Sequence, residues 1–504
     1  MIATIDRTLS RVPMYRLMSI ALGVILVAAI ISSLAGALFY SPLSLILSAV
    51  VAVLSTALTS RLFALIFRSR VHGESSIITG LIIFFLMLPS VEVGGLLVIA
   101  LVGFFAGASK YVLAWRGRHL FNPAAIGAFI VSLTGLGAAG WWVATLPLLP
   151  FVVLGGAAIL WRTRTLIVPL VFIGTTYLLV ITPLLSFGAD AFATAIVSYP
   201  ILFLGMFMLT EPLTLPPRRW QQVVVALVVA VLFALPLYLG SYLSTSLSFG
   251  NFYLSQEFAL VIGNLVAAAI ALPAGARLRL IGSREVGPGS LEFAFESDRP
   301  LRRRAGQYAE LHVPHRRADA RGERRHLTVV SAPESSGRDI TVAVRMPERR
   351  SSFKSALAEL KQGDDVRLTW LGGDFLLPKD EKTPVLLVAG GIGITPFVGQ
   401  FAEAAAGGRD VTLVYRASSS DDLLYRDELA AARAPVVVVT RDEPTDLPFG
   451  WSWQPDLAAA FASLASVGSR TALLSGTPTF VARATGALRA AGVKRIHTDR
   501  FSGY

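Results

Sequence analysis

Cysteine is absent from all 504 residues. Its absence removes disulfides, cysteine-held iron–sulfur clusters and zinc–thiolate sites from this chain. Histidine is scarce: of six, only His72 and His119 precede residue 276, and both stand beside arginines. Facing pairs of axial histidines, which a haem carried inside a bilayer requires, are therefore excluded. Acidic residues are few in the same stretch. Residues 1–275 hold 13 Lys and Arg against six Asp and Glu, whereas the remainder holds 32 against 27. The net charge of +12 thus divides into +7 and +5. No grouping of ligand-type residues suggests a metal site.

Apolar sequence fills the first 275 residues instead. Runs of about 17–20 apolar residues are long enough to cross a hydrocarbon core. Ten follow one another, at roughly 17–37, 42–60, 75–89, 93–114, 123–140, 143–160, 165–186, 194–210, 221–240 and 256–274. Arg7, Arg11 and Arg16 precede the first run, which reads as a retained helix rather than a cleaved signal. Positive charge checks the count independently. Turns after odd-numbered runs contain Glu92 and Asp190 but no Lys or Arg. Turns after even runs carry Arg61, Arg68 and Arg70, then Arg116 and Arg118, Arg162 and Arg164, Arg218 and Arg219, and Arg277 and Arg279. This pattern predicts a multi-pass protein of the bacterial plasma membrane, with ten spans and both termini cytoplasmic. The basic excess follows that topology, so its partner is the lipid bilayer and not nucleic acid.

Five runs per half would place the two halves in opposite orientations, with the short third and eighth runs in corresponding positions. Each ends at a proline, Leu88-Pro89 and Glu211-Pro212. Paired short helices in inverted halves point to a midplane site lined by broken helices. Candidate groups cluster in three strings: Glu74 and Thr79 in the first, Asn122 after His119-Leu120-Phe121, and Thr210, Glu211 and Thr214 in the third. Asn122-Pro123 also suits a plain helix start, and the two glutamates an interfacial, solvated position. At these strings the half resembles the Nqr B/Rnf D family of membrane proteins, shared by the sodium-pumping NADH:quinone reductase and the Rnf complex. The resemblance covers about 70–275. It implies a membrane core that passes electrons through FMN or riboflavin, often with FMN esterified to a threonine of a serine–glycine–alanine–threonine motif. This chain lacks that motif. Its nearest remnant is Val143-Ala144-Thr145-Leu146-Pro147, where Thr145 reads better as a helix-start residue.

After residue 278 the pattern changes to short β-like runs at 290–296, 308–313, 326–330, 340–345 and 365–370. Closely spaced strands predict a small antiparallel barrel over 278–380. Further strands at 384–389, 411–415, 436–440 and 471–474 alternate with helical stretches such as 479–491, predicting a parallel-sheet nucleotide domain over 381–504. The whole is therefore expected to be a ten-helix membrane domain (1–275) followed by an antiparallel β-barrel and an α/β domain. The strongest chemical string is Val385-Leu386-Leu387-Val388-Ala389-Gly390-Gly391-Ile392-Gly393-Ile394-Thr395-Pro396. A strand running into glycines at a helix start lets backbone amides approach a pyrophosphate, though a tight turn alone looks the same.

Six strings then occur in one order: Gly306-Gln307-Tyr308, Arg325-His326-Leu327-Thr328, Ser351-Ser352-Phe353-Lys354-Ser355, the glycine turn, Ser475-Gly476-Thr477-Pro478 and the terminal Tyr504. The series resembles the ferredoxin–NADP reductase family across about 285–504. The resemblance implies an NAD(P)H-dependent flavin oxidoreductase. FAD would be held by Tyr308, Arg325, His326, Leu327, Thr328, Ser351, Ser352, Lys354, Ser355 and Tyr504. NAD(P)H would lie against Gly390, Gly391, Gly393, Thr395, Pro396 and Gly476. Thr328, Ser475 and Tyr504 would stand at the reacting atoms: Thr328 near the flavin N5 edge, Tyr504 covering the isoalloxazine. Two departures stand out: Leu327 replaces the family's aromatic, and Ser475 its cysteine. Arg416 and Arg426 are both placed to read a 2′-phosphate, without deciding NADPH over NADH. With no cysteine clusters and no histidine ladder, a flavin or quinone is the carrier left for the bilayer. The expected function is electron transfer from cytosolic NAD(P)H through FAD to that carrier. The expected final acceptor is a membrane quinone or an extracytoplasmic flavin-binding protein. A redox-driven Na+ or H+ pump component and a transporter with a nucleotide sensor are the alternatives.

Overall fold

The computed structural model describes residues 12–501 except 68, 70–72, 116–117, 164, 272–274, 317, 320–321 and 333–335. Tyr504, His72 and several arginines of the charge pattern thus lie outside the described residues. The chain divides into two compact units, Met1–Pro273 and Ala274–Tyr504.

Each of the ten apolar stretches of the first unit forms helix. These are α1 (Met14–Leu34), α2 (Pro42–Ile66), α3 (Gly73–Leu86), α4 (Val93–Val112), α5 (Pro123–Leu133), α6 (Leu149–Thr163), α7 (Ile167–Leu184), α8 (Ala191–Val197 plus Ile201–Met208), α9 (Arg219–Leu243) and α10 (Gln256–Ile270). Five of them, α1, α2, α4, α7 and α9, are long and apolar enough to cross a membrane; α8 is a pair bent by 47°. The other four have 14, 11, 15 and 15 residues. The expectation of ten spans therefore meets five long helices, one bent pair and four short ones. Ile20, Val24, Val27 and Ile31 form an outward apolar stripe along α1, with a counterpart on α2 at Leu43, Ile46, Val50, Leu54 and Leu58. Such stripes, at helical spacing and left exposed among the described residues, suit contact with lipid. The helices pack in a repeated scheme: α2 on α4 and α4 on α5, then α7 on α9 and α9 on α10. Across the halves, α1 meets α6 and α5 meets α10.

The short helices have identifiable ends. The Leu86 carbonyl at the end of α3 accepts from the amides of Gly140 and Trp141 (2.8 and 2.9 Å), and Met87 bridges Ala139. α5 begins where the Asn122 side chain accepts from the Ala125 amide, with Pro123 in the first turn, so the capping role is real. The second piece of α8 is wound as a π-helix over Leu204–Met208.

The second unit holds two six-stranded sheets. The first comprises β1 (Ala276–Gly287), β2 (Ser290–Ser297), β3 (Tyr308–His312), β4 (Arg324–Thr328), β5 (Asp339–Arg345) and β6 (Asp365–Gly372). They are antiparallel in the order β4-β3-β6-β1-β2-β5, and a bridge between Val329 and Val342 joins the outer strands. Leu278, Phe293, Phe295, Leu311, Val342 and Leu368 fill the space between, with Phe353 of α11 (Ser352–Ala358). β1 is a strand that the sequence pattern does not announce. Its alternation of Arg277 and Arg279 with Leu278 and Leu280 resembles the charged edge of the last span. The two arginines point outward and pair with Asp365 at 3.8 and 3.4 Å, while the leucines enter the core.

The second sheet is parallel, in the order β10-β9-β8-β7-β11-β12. Its strands are β7 (Val385–Gly390), β8 (Val411–Arg416), β9 (Val436–Val439), β10 (Trp451–Gln454), β11 (Thr471–Gly476) and β12 (Ile496–Arg500). The central strands are largely apolar, because helices cover both faces: α12 (Thr395–Ala406) on one, α14 (Leu457–Ala462) and α15 (Pro478–Ala490) on the other. A shorter helix, α13 (Arg426–Ala431), follows β8. Edge strands β10 and β12 are not among the expected strands, because Trp451–Gln454 and Ile496–Arg500 are largely polar or half-exposed. Strand order reverses around β7, whose neighbours β8 and β11 run to opposite edges; in such sheets the crevice beyond the strand ends there receives ligands. Phe401 of α12 is fully buried against this sheet. Truncating it to Ala is expected to cost about 3–5 kcal/mol and to lower the melting temperature by roughly 10 °C, as read by thermal unfolding of the detergent-solubilised chain.

Candidate functional site

The residues singled out in the sequence gather into four groups. The first surrounds the strand reversal. β7 ends at Gly390, and Gly391 takes φ +55°, a left-handed conformation that favours glycine. A Cβ there would meet nothing within 4 Å, so the turn opens space in front of α12. At Gly393 the opposite holds: a Cβ would collide with the Ser475 carbonyl, so only glycine lets the turn press against β11. Thr395 and Pro396 then start α12, the Thr395 hydroxyl donating to the Ile392 carbonyl at 3.1 Å. A twelve-residue helix with a glycine-lined entrance supplies amides and a positive dipole end to an anion. Gly476 lies in the same neighbourhood, next to Ser475, which pairs with Ala389.

Ser475 is fully buried, and its hydroxyl has no partner among the described residues. Its register with Ala389 and alternation with Leu474 put it on the α12 face of the sheet. Asp499 of β12 lies in register with Ser475. Burial pushes the Asp499 carboxyl up to about 6. β12 then runs into Phe501, whose amide donates to the Gly476 carbonyl at 2.9 Å. Phe501 is thus an aromatic residue at this strand end, whereas the sequence directs attention to Tyr504. The available signal is its place two residues beyond an acidic strand residue.

The second group is an anion-ready cluster in the first sheet. Arg325 is buried with its guanidinium 5.2 Å above the Phe353 ring. It donates to the carbonyls of Gly322 (3.0 Å) and Arg324 (2.6 Å) and pairs with Asp319 at 3.4 Å. The second oxygen of Asp319 accepts from the Ser352 amide at 3.2 Å, and the Asp319 amide donates to the Ser352 hydroxyl at 2.9 Å. Arg325 and Ser352 therefore already converge on one carboxylate, which is the donor set that a pyrophosphate would use. Ser351 caps α11 by accepting from Lys354 N, Ser355 N returns to Ser351 O, and the Lys354 ammonium donates to Arg345 O at 2.6 Å.

Alternation separates the third group from the second. Leu327 shares the core face with Arg325, whereas His326 and Thr328 point the other way, opposite Glu310 and Tyr308. There Tyr308, His326 and Trp370 meet edge to face with ring centres 4.9–5.7 Å apart. Glu310 is buried beneath them, accepting from the Thr369 hydroxyl and 3.7 Å from His326. Trp370 is not legible from sequence, because it comes from β6, distant in the chain. Of the two arginines weighed for a 2′-phosphate, Arg426 pairs with Asp446 at 3.1 Å, and Arg416 is exposed at the end of β8.

The fourth group lies in the first unit, where two strings that look separate in the sequence touch. His119 bonds Glu211 at 2.7 Å, Arg118 donates to the carbonyls of Pro212 (2.8 Å) and Leu213 (3.1 Å), and the Asn122 side-chain amide donates to Met208 O at 3.4 Å. Arg118 and Asn122 thus satisfy carbonyls at and just beyond the end of α8. The Asn122 backbone amide donates to the Asn264 side chain of α10 at 2.7 Å. Glu74 pairs with Arg16 at 3.1 Å. Thr79, Thr210 and Thr214 spend their hydroxyls on carbonyls of their own segment, so each reads as structural here. The Thr145 hydroxyl is buried without a partner among the described residues, at a shallow crevice with Tyr199, Pro200 and Phe203. Lys110, the sole lysine before residue 276, is a contact that the sequence does not single out; its ammonium donates to the Ser75 carbonyl and hydroxyl, both at 3.1 Å. Among the described residues no group of three metal-ligating side chains occurs.

Residues 387–445 match the oxidoreductase NAD-binding domain family. The beta subunit of a heme-dependent oxidative N-demethylase from Ectopseudomonas mendocina is 34% identical over 163 residues, 31% of this chain and 50% of that protein. The reductase subunit of an aromatic O-demethylase from an Amycolatopsis species is 31% identical over 216 residues, 40% of this chain and 62% of that protein. A solved cytochrome P450 reductase from Amycolatopsis superposes with a TM-score of 0.39 at 24% identity, covering 45% of this chain and 69% of that one. The chain thus spans about half to two thirds of the length of these curated relatives. What the likenesses support is an oxidoreductase with an NAD-binding domain in its C-terminal unit.

Proposed function

We propose that this protein is a membrane-bound flavoprotein that takes electrons from NAD(P)H through FAD and passes them to a carrier in its helical unit. The observation that carries the reading is the glycine turn pressed against Ser475 at the strand reversal, with the Arg325 and Ser352 donor set in the neighbouring sheet of the same unit. The antiparallel sheet is read as the flavin barrel. Arg325, Ser351, Ser352 and Lys354 would neutralise and orient the FAD pyrophosphate, and Asp319 would be displaced from Arg325 as it binds. Tyr308, His326 and Thr328 would flank the ring system, and Tyr504 or Phe501 would cover it. Amides of the turn at Gly391 and Gly393, with Thr395, would hold the dinucleotide pyrophosphate. The bound flavin accepts hydride and releases electrons one at a time. Ser475 and Gly476 would bound the nicotinamide and exclude water from it.

The helical unit is read as ten membrane segments in two inverted halves. The repeated packing of α2, α4 and α5 and of α7, α9 and α10, with α3 short and α8 bent, supports that reading. It is also the basis for keeping the resemblance to the Nqr B/Rnf D family, and for a flavin or quinone as the membrane carrier. Glu74 pairs with Arg16 and Glu211 bonds His119, which favours electron transfer over direct coordination of a transported sodium ion.

Purified in detergent, the protein should show a flavin absorbance band that NADH or NADPH bleaches. Arg325→Ala should weaken FAD retention about 10-fold or more, since a charge-assisted pair is lost; binding of dinucleotide with no flavin band would instead favour a sensor. Because the chain has no native cysteine, single substitutions map its topology. Ser246→Cys should react with an impermeant maleimide in intact cells, and Thr165→Cys only after permeabilisation. Asp499 supplies a pH signature. Its carboxyl is raised to about 6 from an unfolded value near 3.9, so its neutral form stabilises the fold below about pH 4. That contribution is lost as pH rises through about 6. Asp499→Asn should flatten this fall in melting temperature between pH 4 and 7.

A further inference from the structure

We propose that Gln400 is a positioning residue: it pins α12 to the flavin sheet and so sets the distance at which dinucleotide and flavin meet. The inference rests on the flavin and dinucleotide reading above. Gln400 lies five residues beyond Thr395, about 7.5 Å along the helix from the turn that faces the pyrophosphate. It is fully buried, and its amide nitrogen donates to the Phe375 carbonyl at 2.8 Å and the Ala305 carbonyl at 3.3 Å. Both carbonyls lie outside the parallel sheet, and Ala305 directly precedes the Gly306-Gln307-Tyr308 string.

Gly306 is shaped for this contact. It takes φ +87°, and a Cβ on it would collide with the Gln400 amide nitrogen and fall 2.5 Å from the Phe375 carbonyl. The glycine of the string therefore admits the amide. Gly399 makes a second contact beside it: a Cβ there would lie 3.2 Å from the Val330 carbonyl and 3.3 Å from both the Ala305 side chain and the Ala332 amide. Val330 lies two residues past Thr328. One turn of α12 is thus fixed both to the chain entering Tyr308 and to the chain leaving Thr328. A stiff helix anchored so, with the glycine turn at its head, carries the dinucleotide to a set depth over the flavin.

Packing alone does not account for an amide at this position. The Gln400 Oε1 is buried without a partner among the described residues, a loss that an apolar side chain of the same length would avoid. The amide is explained by the two carbonyls that it joins. Hydride transfer is steep in distance, and a displacement near 1 Å remote from the reacting atoms can slow a reaction about 100-fold.

The test uses the full chain in detergent, loaded with FAD and mixed rapidly with NADPH and separately NADH. Gln400→Leu and Gln400→Met should leave FAD retention and dinucleotide Kd within about twofold, while flavin bleaching slows about 10-fold or more. Gly306→Ala, which crowds the contact from the other side, should give the same split. In flavin-free protein, amide hydrogen exchange should rise at 305–308 and 399–401 in all three variants. Bleaching at the wild-type rate in Gln400→Leu and Gln400→Met would overturn the proposal, as would equal losses of binding and rate, the mark of a merely structural role. Where Gln400→Leu does not fold, Gln400→Met and Gly306→Ala decide. Wild-type protein that neither retains FAD nor bleaches would sink the underlying reading instead, whatever the variants do.

Discussion

The close approach of the glycine turn to β11 is the constraint on which the C-terminal unit depends. At Gly393 the turn leaves no room for a side chain before the Ser475 backbone, and at Gly391 it leaves open space. The first condition draws the end of β7 against its neighbour across the strand reversal. The second keeps the entrance to α12 clear. A helix terminus becomes an anion site only when its first amides can be reached, and here backbone geometry at two glycines decides that. Burial of Phe397 and Phe401 then holds α12 rigidly to the sheet, so the turn cannot relax outward.

In the first unit the governing demand is different. A helix that stops inside an apolar environment leaves carbonyls without partners, each costing several kcal/mol if unmet. The molecule meets this demand with specific donors. Gly140 and Trp141 amides close the end of α3; Asn122 serves α8, and Arg118 the turn after it. Residues that look like a cofactor string in the sequence therefore have a demonstrable structural task.

The two sheets illustrate what pattern reading captures. Strands with near-continuous apolar composition, such as β7 and β8, are legible because parallel strands are covered on both faces. β2 and β5 are legible from alternation. β1 is not, because its exposed positions carry arginines that match the charge pattern flanking a membrane helix. Arg277 and Arg279 satisfy both readings, and only their pairing with Asp365 separates them. Within the candidate site, the glycine turn is legible because local backbone demands fix its residue types, and Arg325 draws attention only through the order of the family strings. Trp370, Asp319 and Gln400 are not legible, since each acquires its place through a partner distant in sequence.

By itself, then, the sequence determined the partition of this chain. Composition divides an acid-poor, apolar half from a strand-rich half with a nucleotide-type turn, since hydropathy and glycine placement act over a few residues at a time. Tertiary structure alone decided which side chains meet. It joined His119 to Glu211, set Arg325 against Asp319, and brought the Gln400 amide against Gly306. Those outcomes depend on strand register and helix packing, which sum contacts across the whole fold and leave no signature in any single segment.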